Sequence, residues 1–196
     1  VINNKIAHAY MFTGPRGTGK TSTAKIFART LNCLEPKEGL PCGTCENCVN
    51  FNTSPDVLEM DAASNNSVDD IREIVDNIGI APTSSKYKVY IIDEVHMLSN
   101  QAWNAFLKTL EEPPSNIVFI LATTDIQKVP ITVLSRCQRF DFQRIDRNLI
   151  FANLKRICEL ENISYEEEAL TEVAFLSDGC LRDALSILDQ LSKVSD

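Results

Sequence analysis

The stretch Ala9-Tyr-Met-Phe-Thr-Gly14-Pro-Arg-Gly17-Thr-Gly19-Lys20-Thr21 leads from an apolar run directly into a glycine-rich loop. The loop fits the pattern G-x-x-x-x-G-K-[ST] at every position, with a predicted strand before it and a predicted helix after it. Glycines let backbone N–H groups curve around phosphate oxygens, and the N-terminus of the following helix adds partial positive charge. The stretch therefore predicts an α/β fold that carries a phosphate-binding loop.

The chemistry of this loop identifies candidate nucleotide-binding residues. Lys20 is expected to reach the β- and γ-phosphates of a nucleotide, and the hydroxyl of Thr21 is expected to bind Mg²⁺. The candidate binding residues run without a break along the loop: Gly14, Pro15, Arg16, Gly17, Thr18, Gly19, Lys20, Thr21 and Ser22. The alternative is a glycine-rich turn that precedes Lys-Thr by chance.

A second apolar strand is predicted at Lys88–Asp93, and it ends in two carboxylates. Asp93 is expected to orient the Mg²⁺ shell, and Glu94 to orient or deprotonate the water that attacks the γ-phosphate. Together with the loop, this pair indicates nucleotide hydrolysis. The same residues also fit D-E-x-H, which keeps a helicase open as an alternative, while His96 alone is interpreted as a surface or packing residue.

Strands and helices alternate through the first two thirds of the chain. The predicted strands are Ala9–Thr13, Val57–Asp61, Lys88–Asp93, Ile117–Ala122 and Arg139–Phe142, and the predicted helices are Thr21–Leu31, Val68–Ile78 and Gln101–Glu111. Such alternation is typical of a parallel sheet. All strands but the last are nearly continuously apolar, so we expect them to be covered on both faces. Ser67 is a candidate N-cap for the second helix.

The last quarter of the chain is different, because only helical periodicity is found there. Three helices are predicted, at Arg147–Leu160, Glu166–Leu176 and Leu181–Val194. Residues 146–196 carry eleven acidic and five basic residues, so most of the net charge of −8 lies in this part. We expect residues 1–143 to form the α/β domain and residues 144–196 to form a small three-helix domain.

Four cysteines in the pattern C-x8-C-x2-C-x2-C, Cys33, Cys42, Cys45 and Cys48, suit a structural zinc site. Disulfides or free thiols are the alternatives. The segment from about residue 33 to 50 is acidic, so we expect it to be structural or to face a protein rather than DNA. The other three cysteines are interpreted as packing residues.

The amino-acid composition excludes several classes of protein. The 196 residues are 44% hydrophobic and 23% charged, which excludes disorder, collagen and coiled coil. The longest apolar run, Ile117–Ala122, is far too short to cross a bilayer, and we expect no membrane partner. Since residue 1 is Val and no leader is seen, we expect a piece of a longer cytoplasmic protein.

Several stretches together resemble one family. These are residues 6–21, the four-cysteine insertion, Ala105-Phe-Leu-Lys-Thr-Leu-Glu-Glu-Pro-Pro114, Leu121-Ala-Thr-Thr-Asp125, Leu134-Ser-Arg-Cys137 and Gly179-Cys-Leu-Arg-Asp-Ala184. The chain resembles, over essentially its whole length, the gamma/tau subunits of the bacterial DNA polymerase III clamp loader, which are AAA+ ATPases. The resemblance implies an AAA+ sheet with a helical lid, ATP, Mg²⁺ and Zn²⁺, and a role in loading the sliding clamp onto primed DNA.

The resemblance also implies roles for three further residues. Thr124 matches the sensor-1 position, with Thr123 as the fallback. Arg136 matches the arginine finger that reaches the ATP site of a neighbouring subunit in the ring, and Arg182 matches sensor 2. From the residues alone, Arg136 could equally be a surface cation, and Arg182 a partner of Asp183 or Asp189.

The DNA contacts and the competing functions stay open at this level. Phosphate contacts are expected near Ser64, Asn65 and Asn66, with Lys25, Arg29 and Lys128 as further candidates, and no base-specific recognition is expected. The family's third domain would follow Asp196, so weak hydrolysis is expected of this chain alone. A helicase would need a second motor domain, and a non-hydrolysing scaffold would not need an intact loop.

Overall fold

The computed structural model of the protein describes residues 6–65 and 68–193. The chain folds into two compact units. Residues 6–13, 20–65 and 68–141 belong to the first unit, and residues 14–19 and 142–193 belong to the second. The second unit thus includes the glycine-rich loop, although this loop lies in the N-terminal part of the sequence.

The first unit is built on a five-stranded sheet in which every neighbouring pair is parallel. The strands are β1 (Ala9–Thr13), β2 (Val57–Asp61), β3 (Lys88–Asp93), β4 (Ile117–Thr123) and β5 (Gln138–Asp141), in the spatial order β2-β3-β4-β1-β5. In register, Thr13 lies opposite Thr123, and Asp61 lies opposite Asp93. The carboxyl ends of these strands therefore meet at one edge of the sheet, where ligands bind in open α/β folds.

Burial along the strands follows their position in the sheet. Every residue of β1 and β4 is buried, and so are the first five of β3. The expectation that β2 is covered on both faces is wrong, because β2 is an edge strand whose residues are half-buried or exposed. Glu59 in its centre pairs with Lys25 at 2.8 Å instead of entering the core. Three strand ends also differ by one residue from the prediction, since β4 runs on to Thr123 and β5 spans Gln138–Asp141 instead of Arg139–Phe142.

The helices of the first unit are α1 (Lys20–Leu31), α2 (Glu46–Val49), α3 (Val68–Asn77), α4 (Asn100–Glu111) and α5 (Ile131–Leu134). The three long ones confirm the sequence prediction to within one residue at each end, and the short α2 and α5 were not predicted. Helix α4 begins where the Ser99 hydroxyl accepts the Ala102 N–H, and Pro113 and Pro114 follow its end. The candidate N-cap Ser67 lies outside the described residues.

The apolar core of the first unit joins the sheet to the helices that pack on it. Its largest members include Met11, Ile71, Tyr90, Phe106 and Phe119, each almost fully buried. Phe106 of α4 meets Phe119 of β4 edge to face, with ring centroids 4.8 Å apart. This packing fixes α4 against the sheet.

The second unit is a three-helix bundle with its own core. Its helices are α6 (Arg147–Glu161), α7 (Glu167–Leu176) and α8 (Leu181–Ser192). Apolar residues at helical spacing meet inside it: Ile150, Leu154, Cys158, Leu170, Val173, Ala174, Ala184 and Leu188. The predicted AAA+ architecture with a helical lid agrees with these elements. The prediction that the last helix runs to Val194 is wrong, because α8 ends at Ser192 and Lys193 is already its C-cap; Val194 itself lies outside the described residues.

A search of the described residues for membrane spans finds no helix with the length and apolarity that crossing a bilayer requires.

Candidate nucleotide site

The loop residues 14–19 pack on the N-terminus of α8 within the helical unit. The N–H of Leu181 donates to the carbonyl of Gly17 at 3.1 Å, which satisfies one of the free donors at the start of α8. Gly17 has φ +68°, and a Cβ atom there would lie 2.1 Å from Sγ of Cys180. Glycine is therefore required at this position for both backbone conformation and space.

Arg16 adds a charged contact between the same segments. Its Nη2 lies 2.8 Å from both carboxylate oxygens of Asp183, and this pairing lowers the pKa of Asp183. Asp189, the other acid that the sequence offered to Arg182, binds Lys193 at 2.7 Å. Asp183 and Asp189, the two acids proposed as partners of Arg182, are thus hydrogen-bonded to Arg16 and Lys193 instead. The sensor-2 role of Arg182 stays a prediction.

Thr21 and Asp93 are brought together at the carboxyl end of β3. The hydroxyl of Thr21, in the first turn of α1, donates to Oδ2 of Asp93, and the other carboxylate oxygen accepts the N–H of Glu94 at 2.9 Å. Lys20, the first residue of α1, is 6% exposed. A hydroxyl beside a carboxylate offers the oxygen ligands that Mg²⁺ prefers, so these residues fit the ion that the sequence predicted.

Glu94 is held by Thr124, the residue that follows β4. One oxygen of its carboxylate, Oε2, accepts the Thr124 hydroxyl at 2.9 Å and the Thr124 N–H at 3.3 Å. Glu94 itself is in the left-handed region, with φ +48° and ψ +43°, a conformation that is uncommon for a residue other than glycine. The backbone after β3 therefore adopts an unfavourable turn that places this carboxylate beside the end of β4.

The neighbouring Thr123 has a different environment. It is fully buried, and its hydroxyl accepts the Asp125 N–H at 3.0 Å and lies 3.1 Å from Nδ1 of His96. The same His96 nitrogen lies 3.3 Å from Oε2 of Glu94. Of the two threonines, Thr124 contacts the proposed catalytic carboxylate, while Thr123 belongs to the packing behind it.

From the sequence, His96 was interpreted as a surface or packing residue, and the structure favours packing. Its side chain is 11% exposed and contacts both Glu94 and Thr123, so it is not a surface residue. The D-E-x-H spacing was the signal that could have identified it, because a 3-10 helix over Val95–Met97 turns His96 back toward the strand ends.

Arg136 follows the short helix α5 and contacts a different set of residues. Its Nη2 lies 2.7 Å from Oε1 of Glu111, and its Nη1 donates to the Thr132 carbonyl at 2.5 Å. Among the contacts of the described residues, none joins Arg136 to Asp93 or Glu94. A finger that serves a neighbouring subunit would have this separation, but the role itself stays a prediction.

The four cysteines form one cluster, and their sulfurs lie within 4.8 Å of one another. The Sγ atoms of Cys33 and Cys45 are 3.9 Å apart, as are those of Cys42 and Cys48, far beyond the length of a disulfide bond. A tetrahedral zinc with Zn–S bonds of about 2.3 Å separates its sulfurs by about 3.8 Å. The donor set therefore fits Zn²⁺ in number, chemistry and spacing.

The environment of the sulfurs also suits a metal. Hydrogen bonds from the backbone N–H groups of Cys45 and Thr44 lower the pKa of Cys42 to about 6, which favours its thiolate. Burial raises the pKa of Cys48 to about 12, so that thiol needs a cation close by in order to ionise. The cluster is tied to the end of α1, because Arg29 Nη2 donates to the carbonyl of Cys48 at 2.5 Å.

The three candidate cations for DNA phosphates all have partners in the chain. Lys25 pairs with Glu59, Lys128 pairs with Asp125 at 3.3 Å, and Arg29 donates to the cysteine cluster. Asn65 donates from its side chain to the Asp61 carbonyl at 3.2 Å, and Asn66 lies outside the described residues. Phosphate at Lys25 or Lys128 would have to compete with a carboxylate.

Comparison with known proteins identifies the family. The family described as "DNA polymerase III, delta subunit" matches residues 1–146, and the family described as "DNA polymerase III clamp loader subunit, ATPase lid domain" matches residues 149–193. The chain is 53% identical to DNA polymerase III subunit tau of Bacillus subtilis over 97% of this chain and 34% of that protein. It is 48% identical to subunit tau of Escherichia coli over 95% of this chain and 29% of that protein. It thus spans about a third of these relatives.

Solved structures support the fold. A DNA polymerase III gamma subunit-related protein of Thermotoga maritima is similar with a TM-score of 0.59 and 24% identity, over 91% of this chain and 56% of that one. The T. maritima RuvB Holliday junction branch migration motor is similar with a TM-score of 0.64 and 18% identity, over 96% of this chain and 55% of that one. These likenesses concern the fold alone. From the sequence relationships, the chain belongs to the family of DNA polymerase III clamp-loader subunits, and within it to the tau/gamma group.

Proposed function

We propose that this chain is the nucleotide-hydrolysing part of a clamp-loader subunit, which binds and hydrolyses ATP so that the sliding clamp is opened and placed on primed DNA. The observation that carries the proposal is the cluster at the carboxyl ends of β3 and β4. There, Thr21 contacts Asp93, and Thr124 holds Glu94. A scaffold subunit that has lost hydrolysis would have no need to keep these side chains together.

Each residue has a defined task in this proposal. The loop residues 14–19 and Lys20 bind the phosphates, and Glu94 orients the attacking water or takes its proton. Thr124 fixes the Glu94 carboxylate so that this base does not have to reorganise during the reaction. Thr21 and Asp93 would hold Mg²⁺, which when bound neutralises charge that develops on the phosphate oxygens.

Residues outside the cluster complete the proposed site. Arg136 would stabilise the transition state at the ATP of a neighbouring subunit, a contribution of about 10³–10⁵ in rate in related systems. Arg182, on α8, would contact the phosphates held by its own subunit. The four cysteines would hold a structural Zn²⁺ that takes no part in hydrolysis, because four thiolates close its coordination shell.

The partners follow from the family. We propose that the complete protein assembles with other clamp-loader subunits in a cytoplasmic ring, contacts the sliding clamp, and follows DNA through its phosphates. Of the candidate DNA residues, Lys25 and Lys128 are already paired with carboxylates, so their contribution to affinity is expected to be weak. The division into an α/β domain over residues 1–143 and a lid over residues 144–196 is part of the same proposal.

The test is ATP hydrolysis by the full-length protein assembled with its partner subunits. We expect turnover to rise when clamp and primed DNA are added together, and to fall at least a hundredfold with Arg136→Ala. A folded, complete assembly that does not hydrolyse ATP under these conditions would contradict the proposal. Strand displacement without any clamp would favour the helicase alternative instead.

A further inference from the structure

Glu111 occupies a position that helix stability does not explain. It is the last residue of α4, and a carboxylate is disfavoured there because the C-terminal end of a helix carries partial negative charge. Glu112 follows it, so two acids stand at this end. An acid in such a place needs another partner to be stabilised.

That partner is the guanidinium of Arg136. Nη2 of Arg136 lies 2.7 Å from Oε1 of Glu111, while Nη1 donates to the Thr132 carbonyl at 2.5 Å and lies 3.4 Å from the Ser135 hydroxyl. The Arg136 side chain is 33% exposed, so most of it is covered by the protein. The guanidinium is therefore held by groups on α4 and around α5 at once.

The arrangement leaves part of the guanidinium available. An arginine side chain has five N–H donors, and these three contacts use two on Nη1 and one on Nη2. The N–H of Nε and the second one of Nη2 have no acceptor in the part of the chain that the structure describes. A flexible side chain that is already held in one orientation loses less conformational entropy when it meets an anion.

We propose that Glu111 is a positioning residue: its carboxylate fixes the Arg136 guanidinium in the orientation from which it is presented to the nucleotide of a neighbouring subunit. This inference rests on the proposed role of Arg136 in hydrolysis. Glu111 does not touch the nucleotide in this account, so it acts on the rate only through Arg136.

The test compares variants of the full-length protein in the assembled clamp loader. With Glu111→Ala we expect kcat for ATP hydrolysis to fall about tenfold, because the finger is no longer preorganised. We expect KM for ATP to stay within about twofold, since the arginine acts in the transition state rather than in binding. Glu111→Gln, whose amide oxygen can still accept a hydrogen bond, should restore part of the rate.

Glu112→Ala is the matched control. It removes the same charge one residue away, and among the contacts of the described residues its side chain has no hydrogen bond or ion pair. It should leave kcat within about twofold of the unchanged protein. An equal loss from Glu111→Ala and Glu112→Ala would overturn the proposal, because a general effect of charge at the end of α4 would then explain both.

Arg136→Ala separates this inference from the proposed function. If Arg136→Ala abolishes hydrolysis while Glu111→Ala leaves kcat unchanged, the positioning role is wrong and the function stands. If Arg136→Ala has no effect, the function of the finger fails, and the role of Glu111 fails with it. A loss of thermal stability in Glu111→Ala that Glu111→Gln does not share, with kcat unchanged in both, would assign Glu111 to structure alone.

Discussion

The cysteine cluster and the cluster at the carboxyl end of the sheet are both polar sites of the first unit, but they are assembled in opposite ways. The four cysteines lie within sixteen residues of sequence, and local turns with the short helix α2 bring their sulfurs within 4.8 Å. Thr21 and Asp93 are 72 positions apart, and Glu94 and Thr124 are 30 apart, so only the parallel sheet brings them together. Spacing along the chain therefore encodes the first site, and topology encodes the second.

Because the two sites are assembled independently, we expect that one can be removed without loss of the other. Loss of a zinc ligand should have the largest effect on metal content and thermal stability. Cys45→Ser is expected to lower the zinc content from about one per chain to none, and to lower Tm by about 5–10 °C because metal binding stabilises the segment. Affinity for an ATP analogue should stay within about twofold. Elemental analysis, thermal unfolding and calorimetry measure these three quantities.

Cys137→Ala serves as the control for that experiment, since Cys137 is a half-buried cysteine outside the cluster. The Cys137→Ala variant should retain about one zinc per chain. If Cys45→Ser also abolished binding of the ATP analogue in folded protein, the two sites would not be independent, and the comparison would fail.

A second experiment tests the sheet-edge site with its two adjacent threonines. Thr124→Val removes the hydroxyl that holds Glu94, and we expect kcat of the assembled loader to fall about ten- to a hundredfold. Thr123→Val removes a buried hydroxyl, and we expect it to lower the free energy of unfolding by about 1–2 kcal/mol with a smaller loss of kcat. Steady-state kinetics and denaturant unfolding of both variants provide the comparison.

The reverse result would identify Thr123 as the sensor. In that case the fallback from the sequence would be correct, and the hydrogen bond between Thr124 and Glu94 would have no part in the reaction.

The smallest change in stability is expected on removal of the ion pair between Arg16 and Asp183. Arg16 and Asp183 are 167 positions apart, but the Arg16 side chain is 72% exposed, and exposed ion pairs contribute little to stability. Because Arg16 lowers the pKa of Asp183, the contribution is present above the ordinary carboxyl value of 3.8 and is lost as the pH falls through the lower folded value. Asp183→Asn should lower Tm by about 1–2 °C at pH 7.

Thermal unfolding of Asp183→Asn and the unchanged protein between pH 7 and pH 3 checks this sign. The difference in Tm should shrink as the pH approaches 3. A difference that stays constant over this range would show that the ionised carboxylate is not its source.

The sequence predicted much of the fold because its signals are local. β1 and β3 have the predicted bounds, since each is an apolar run enclosed by turn residues, and α4 ends before Pro113 as expected. The edge position of β2 was missed, because strand order in a parallel sheet depends on long-range contacts that periodicity does not report. Glu59 and Asp61 were the residues in β2 that signalled exposure.

The site was predicted as a set of residues but not as a set of contacts. The motif identified Thr21, Asp93 and Glu94, whose chemistry is fixed by residue type. The pairs Glu111–Arg136 and Arg16–Asp183 join side chains from separate elements, and the packing of those elements decides which rotamers meet. The sequence left His96 between a surface and a packing position for the same reason, since its contact with Thr123 exists only once β3 and β4 are paired.

The most direct test of the account is to replace Glu94 by Gln, and to measure ATP affinity and turnover in the same assembled clamp loader. We expect an affinity within about twofold of the unchanged protein, and a turnover lower by at least a hundredfold, because the base is lost while the phosphate-binding residues remain. Unchanged turnover in Glu94→Gln would contradict the central claim that this carboxylate drives hydrolysis.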